Sequence, residues 1–172
     1  MSIALTFTGK EILDTPIVGP DGAVHYTTSS THGFRGRKVT TITAASGLVG
    51  CINWREEVFV INGQEWSWSK VRSRSGFFKL SYEWHWNERS YKLEYHDMNK
   101  SLLATPTSGN VADTVQFHPY HPHLFHANER ATILFPHQMQ DEVERMFLLM
   151  AILQTDVQQQ DAARAAAAHA AA

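Results

Sequence analysis

The sequence is short of nearly everything that would give a function away. It has one cysteine in 172 residues, Cys51, so no disulfide can form within the chain. The setting of that residue in Leu48-Val49-Gly50-Cys51-Ile52 favours a buried thiol over a reactive one. No apolar run approaches the ~20 residues that a membrane-spanning helix needs. Neither sign of charge dominates: 15 basic and 17 acidic residues leave a formal charge of -2, which speaks against a dedicated nucleic-acid binder. Gly-x-Ser-x-Gly, P-loop and Gly-x-Gly-x-x-Gly motifs are missing, and no compact pair of carboxylates stands beside a suitable acid or base. Neither an enzyme nor a cofactor is therefore expected. The start, Met-Ser-Ile-Ala-Leu-Thr-Phe-Thr, lacks the basic-then-apolar pattern of a secretion signal, so the expected location is cytoplasmic. In that setting Asn99-Lys100-Ser101 is a chance match to a glycosylation sequon.

What is present is mostly strand. The length suits one domain, large enough to bury roughly two thirds of the surface of its unfolded form. Short apolar and β-branched runs separated by turn residues predict twelve strands, at residues 3–8, 15–18, 23–29, 38–44, 48–54, 58–61, 65–71, 77–86, 91–96, 102–105, 114–118 and 130–135. That number of short strands fits a barrel or a sandwich. Asn62-Gly63, between Val58-Phe59-Val60-Ile61 and Glu65-Trp66-Ser67-Trp68, is the best hairpin signal, because a type I′ turn needs positive φ at both central residues. Pro20-Asp21-Gly22 and Asn87-Glu88-Arg89 mark two more turns. Trp66 and Trp68 fall on one strand face, as do Trp84 and Trp86, and Tyr91, Leu93 and Tyr95. Glu83, Glu88, Glu94 and Asp97 read as outward, solvated positions of an antiparallel hairpin.

One segment breaks the strand pattern. Met146-Phe147-Leu148-Leu149-Met150-Ala151-Ile152-Leu153 is apolar on every side of a helix, and such a helix has to be surrounded. A central helix is predicted over residues 139–157, with Val143, Met146, Phe147, Leu149, Met150, Ile152 and Leu153 as its core positions. Burying the eight-residue run contributes on the order of 10–20 kcal/mol before entropic discounts. Asp141, Glu142 and Glu144 suit the positive end of the helix dipole. The domain then covers residues 1–157, and the Ala/Gln-rich stretch 158–172 is expected to be a fraying helix or disordered.

Three sets of side chains are candidates for function. His118, His121, His123 and His126 lie within nine residues and carry imidazoles suited to zinc, copper or nickel, although a solvated loop is the more ordinary reading. Between residues 35 and 79 there are eight basic and three acidic side chains, a local excess of about five positive charges. Arg35, Arg37, Lys38, Lys70, Arg72 and Arg74, with Phe77-Phe78 and Lys79 nearby, suit contact with anionic lipid headgroups. Trp54, Trp66, Trp68, Trp84 and Trp86 would line a carrier's cavity if the helix packed outside the strands, and are core residues if it packs inside.

Leu5-Thr6-Phe7, Tyr26-Thr27-Thr28, Thr40-Thr41-Ile42, Ile52-Asn53-Trp54, Tyr82-Glu83-Trp84-His85, Tyr91-Lys92-Leu93 and Ala131-Thr132-Ile133, followed by the apolar helix, occur in the order found in a fungal, mainly basidiomycete, family of unknown function. The chain resembles that family, which is distantly similar to the tubby and LURP-one-like barrels. The chain departs from the family pattern at Glu83 and in its alanine-rich tail. The resemblance implies a closed antiparallel tubby-like β-barrel of about twelve strands with the hydrophobic C-terminal helix through its middle. Tubby-type barrels are associated with phosphoinositides. The leading expectation is therefore a non-enzymatic module that touches anionic lipid peripherally. The alternatives are a protein-interaction domain using the loops at residues 105–128, and a carrier of a small apolar ligand.

Overall fold

The computed structural model describes residues 2–34, 36–74, 81–96, 101–121 and 129–170. The apolar runs become β1 (Ser2–Phe7), β2 (Pro16–Val18), β3 (Val24–Gly33), β4 (Gly36–Ala44), β5 (Val49–Asn53), β6 (Val58–Ile61) and β7 (Gln64–Ser67). A helical turn, α1 (Trp68–Val71), follows, and then β8 (Arg72–Arg74), β9 (Tyr82–Trp86), β10 (Arg89–His96), β11 (Ser101–Pro106), β12 (Val115–His118), β13 (Thr132–Pro136) and the long helix α2 (Glu142–Ala170). Every predicted strand has a counterpart. Asn62 and Gly63 have φ of 50° and 78°, as the β6–β7 hairpin requires, and Asn87 at 51° turns β9 into β10.

All thirteen strands form one antiparallel sheet in the order β7-β6-β5-β4-β3-β2-β1-β13-β12-β11-β10-β9-β8. Two meanders are joined where the first strand meets the last, with Ser2 opposite Pro136 and Thr6 opposite Thr132. The edge strands β7 and β8 are neighbours in the chain, separated only by α1, so the sheet bends round until its two edges approach. Phe59 of β6 stacks on Trp84 of β9 with centroids 5.1 Å apart, and Trp66 of β7 meets Trp86 of β9 at 5.3 Å. The hydrogen-bonded ladder stops short of the expected closed ring: among the described residues no pairing joins β7 to β8. The cause is local. The strand predicted over residues 65–71 ends at Ser67, because a helical turn puts Trp68 and Val71, three apart, on the same buried face.

The inner face of the sheet surrounds α2. Met146 to Leu153 are all 0% exposed, packed among Leu5, Phe7, Ile42, Ile52, Phe59, Trp84, Leu93 and Phe117. Gly50 of β5 allows the closest approach, since a Cβ there would lie 2.8 Å from the sulfurs of both Met146 and Met150. Trp68, Trp84 and Trp86 are buried against Phe59 and Phe147, so these three tryptophans are core residues around the helix. The helix starts at Glu142, three residues later than expected, because the Asp141 carboxylate accepts from the amides of Val143 at 2.9 Å and Glu144 at 3.3 Å and caps the first turn. Its far end continues through the alanine-rich stretch to Ala170, exposed from Gln160 onward. No helix among the described residues is long and apolar enough to cross a membrane.

Candidate functional site

The end of the sheet from which α2 emerges is where polar chemistry collects. After Leu153 the helix is still enclosed for one turn, and Gln154, Thr155 and Asp156 are buried before it reaches solvent. Thr155 is satisfied within the helix, donating to the Ala151 carbonyl at 2.8 Å. Asp156, 1% exposed, accepts a short hydrogen bond from the Tyr95 hydroxyl of β10 and another, at 2.7 Å, from Nε2 of Gln160 one turn on. Burial raises the pKa of the Asp156 carboxyl, and its two hydrogen bonds and the nearby His121 counter part of that rise. Burial and the charge of Asp156 push the Tyr95 phenol up in turn.

Two arginines clasp the emerging helix, Arg37 from β4 inside the sheet and Arg72 from the edge strand β8. Arg37 of β4 makes a bidentate pair with Asp161, at 2.9 and 3.1 Å, and lies 5.5 Å over the Trp54 ring. A β-bulge aims it there: the β3–β4 register steps from Thr31 opposite Val39 to His32 opposite Arg37, leaving Lys38 exposed and without a partner on β3. The Arg37 hydrogen bonds hold the Asp161 carboxyl below its ordinary range. Arg72 of β8 stacks over Tyr82 at 4.5 Å, with the Trp68 and Trp84 rings at 5.4 and 5.5 Å, and reaches Oε1 of Gln158 at 3.5 Å.

These contacts fix where the basic residues sit. Gln158 and Asp161 are about one turn apart on α2, so Arg37 and Arg72 mark the same end, and Lys38, Lys70 and Arg74 are their close chain neighbours. Lys38, Lys70 and Arg74 are exposed, whereas Arg37 and Arg72 are engaged with the helix and aromatic rings. Arg35, Phe77, Phe78 and Lys79 lie outside the described residues. At the tip of the β3–β4 hairpin, beside the Gly33–Gly36 pair, Phe34 is fully exposed. Sequence reasoning passed over it, although an aromatic between Gly33 and Gly36 in a basic stretch is a readable signal.

Of the four clustered histidines, His118 ends β12 and His121 lies near Asp156, while His123 and His126 are outside the described residues. Among the described residues no group of three or more His, Cys, Asp or Glu side chains could hold a metal ion. Lys10, His96 and Asp156 were overlooked in the sequence, and Tyr95 was read there only as one position of a strand face. They share with His121 a cleft of about 630 Å³ along the flank of α2.

The opposite end, where α2 begins, has its own buried carboxylate. Glu144 accepts from the Tyr91 hydroxyl at 2.7 Å and pairs with Arg89 at 3.1 Å, beside a smaller cleft of about 480 Å³. Arg89 is mostly exposed there, and burial together with Glu144 raises the Tyr91 pKa. This trio ties β10 to the first turns of the helix.

No curated protein and no solved structure matches the chain. A family of unknown function, DUF6593, is matched over residues 10–153, from Lys10 at the cleft to the last residue of the apolar run in α2, and the chain belongs to that family.

Proposed function

We propose that the protein is a non-enzymatic binding module of the tubby-like barrel kind, which docks peripherally on anionic lipid at the cytoplasmic face of a membrane. The contact is the end of the sheet from which α2 emerges. The observation that carries this reading is Phe34, a fully exposed aromatic at a hairpin tip with Lys38 beside it and Lys70 and Arg74 exposed at the same end. An apolar side chain that enters the headgroup layer, ringed by cations that meet its phosphates, is the usual composition of an interfacial anchor. Arg37 and Arg72, the other members of the basic set, are engaged with α2 and with aromatic rings, so the exposed cations carry the contact. Three exposed cations at about 1 kcal/mol each and one partly buried phenyl ring give roughly 4–6 kcal/mol, the scale of a weak and reversible contact. The enclosure of α2 also favours a surface role over a carrier, because the helix fills the interior.

Flotation with vesicles containing phosphatidylserine or a phosphoinositide, against vesicles of phosphatidylcholine alone, tests this. Binding is expected only to the charged vesicles, falling several-fold in Phe34→Ala and in Lys38→Glu/Arg74→Glu, and lost at high salt. Indifference to lipid charge would sink the reading.

A further inference from the structure

The cleft along α2 uses none of Phe34, Lys38, Lys70 or Arg74, so it poses a question separate from membrane docking. Its volume, about 630 Å³, falls in the range of small-molecule sites. Its walls are of two kinds. Ile12, Leu13 and Val157, nearly all buried, give an apolar side that a hydrocarbon or aromatic body could cover. Lys10, His96 and His121 give a polar side, and among the described residues these three side chains make no hydrogen bond or ion pair.

Donors held at the edge of a concave apolar wall, with no acceptor among the described residues, suit an acceptor from outside. Three cations face two acidic residues in the lining, which favours an anionic acceptor. Lys10 and Arg164 face the cleft from the segment after β1 and from α2, and Arg37 adds a third cation from β4. Glu11 and Asp156 are the acidic residues of the lining, and Tyr95 and Tyr120 its phenols. Asp156 is already engaged by Tyr95 and Gln160, and Arg37 by Asp161. Arg164 is held loosely: it is 3.6 Å from an Asp161 that Arg37 has bound in bidentate fashion, and its side chain is 71% exposed. Arg164 is thus free to turn to a competing anion, Lys10 and His96 have no hydrogen-bond or ion-pair partner among the described residues, and His121 feels only the charge of the nearby Asp156. The floor is firm, because Asp156, in the last enclosed turn of the helix, is hydrogen-bonded to both Tyr95 of β10 and Gln160 one turn on.

We propose that this cleft binds a phosphate monoester carried on an apolar body, with Lys10, His96, His121 and Arg164 around the phosphate and the body against Ile12, Leu13 and Val157. Such a monoester is either a soluble metabolite or the headgroup of a lipid, and both present the same dianion to the same donors.

Phenyl phosphate is the probe, titrated into the full chain by calorimetry and followed by the histidine ring resonances in NMR. Saturable binding at one site is expected, with phenol silent for want of the charge and inorganic phosphate weaker for want of the ring. Lys10→Ala and His121→Gln each weaken binding at least tenfold with the melting temperature nearly unchanged, since neither side chain makes a hydrogen bond or ion pair among the described residues, and Phe34→Ala binds as wild type. No saturation, or equal affinity in both cleft variants, overturns the site. Vesicles carrying phosphatidic acid separate the sources: vesicle binding that survives Phe34→Ala and is displaced by phenyl phosphate assigns the cleft to a lipid headgroup. Vesicle binding that phenyl phosphate leaves untouched assigns it to a soluble monoester. Loss of vesicle binding in Phe34→Ala with phenyl phosphate affinity intact keeps the two proposals apart.

Discussion

Asp156 is the residue whose environment departs furthest from its chemistry: a carboxylate in the last enclosed turn of an otherwise apolar helix, 1% exposed, with a phenol and an amide for partners. Burial raises its pKa in the folded chain, so the native state binds the proton more tightly than the unfolded state does. The stability tied to that proton is fully present below the unfolded value and is lost as pH rises through the folded one. Asp156→Asn keeps an oxygen for the Tyr95 hydroxyl and removes the buried charge. The difference in melting temperature between variant and wild type is therefore expected to move in favour of the variant as pH rises from about 4, the ordinary value for an aspartate. Thermal melts across that range read it directly. A difference that stays constant with pH would mean that the carboxyl ionises as easily folded as unfolded.

At the scale of elements, α2 is two helices in one. From Met146 to Leu153 it is held by the inner face of the sheet, and beyond Gln160 its tie to the sheet among the described residues is Asp161 on Arg37, with its own propensity doing the rest. Leu149→Asp places a charge with no partner in the middle of that enclosure and is expected to cost more than about 4 kcal/mol, enough to prevent soluble folding. Removal of residues 165–172 takes away seven alanines and His169, exposed over 165–170, and is expected to change stability by less than about 0.5 kcal/mol, as read from denaturant midpoints. The apolar run was legible because eight consecutive apolar residues leave a helix no solvent face, and the strands because alternation and turn residues bound them. The strand β8 was not, because Arg72-Ser73-Arg74 has no apolar residue to mark it and exists by pairing with β9. Nor was α1, since Trp66 and Trp68 continue a strand alternation that only tertiary burial of Trp68 and Val71 interrupts. The site was half legible. A basic cluster is visible in sequence, but the use of Arg37 and Arg72 to clasp α2 depends on contacts across 124 and 86 residues that no local pattern contains.

For the whole molecule, the decisive contact is between its first and last strands. β1 and β13 join a meander of β2–β7 to one of β8–β12, and α2 packs on β5 and β6 from the first and on β9 and β11 from the second. Neither meander alone can enclose a helix that is apolar on all sides, so each stabilises the other through α2. All five tryptophans lie near the gap between β7 and β8: Trp54 against Trp68, Trp66 against Trp86, and Trp84 stacked on Phe59. Tryptophan fluorescence therefore reports this gap, while far-ultraviolet circular dichroism reports the sheet and α2. The β7–β8 gap carries no ladder among the described residues and is held by rings and by Arg72, the same rings that pack on Phe147 of α2. Parting the edges would uncover the helix, so the gap cannot open as a separate step. The two signals are expected to trace one denaturant transition with the same midpoint and slope. A fluorescence change that precedes the loss of circular dichroism would show instead that the edges part while the helix stays covered, which would make the gap a gate and not a part of the core.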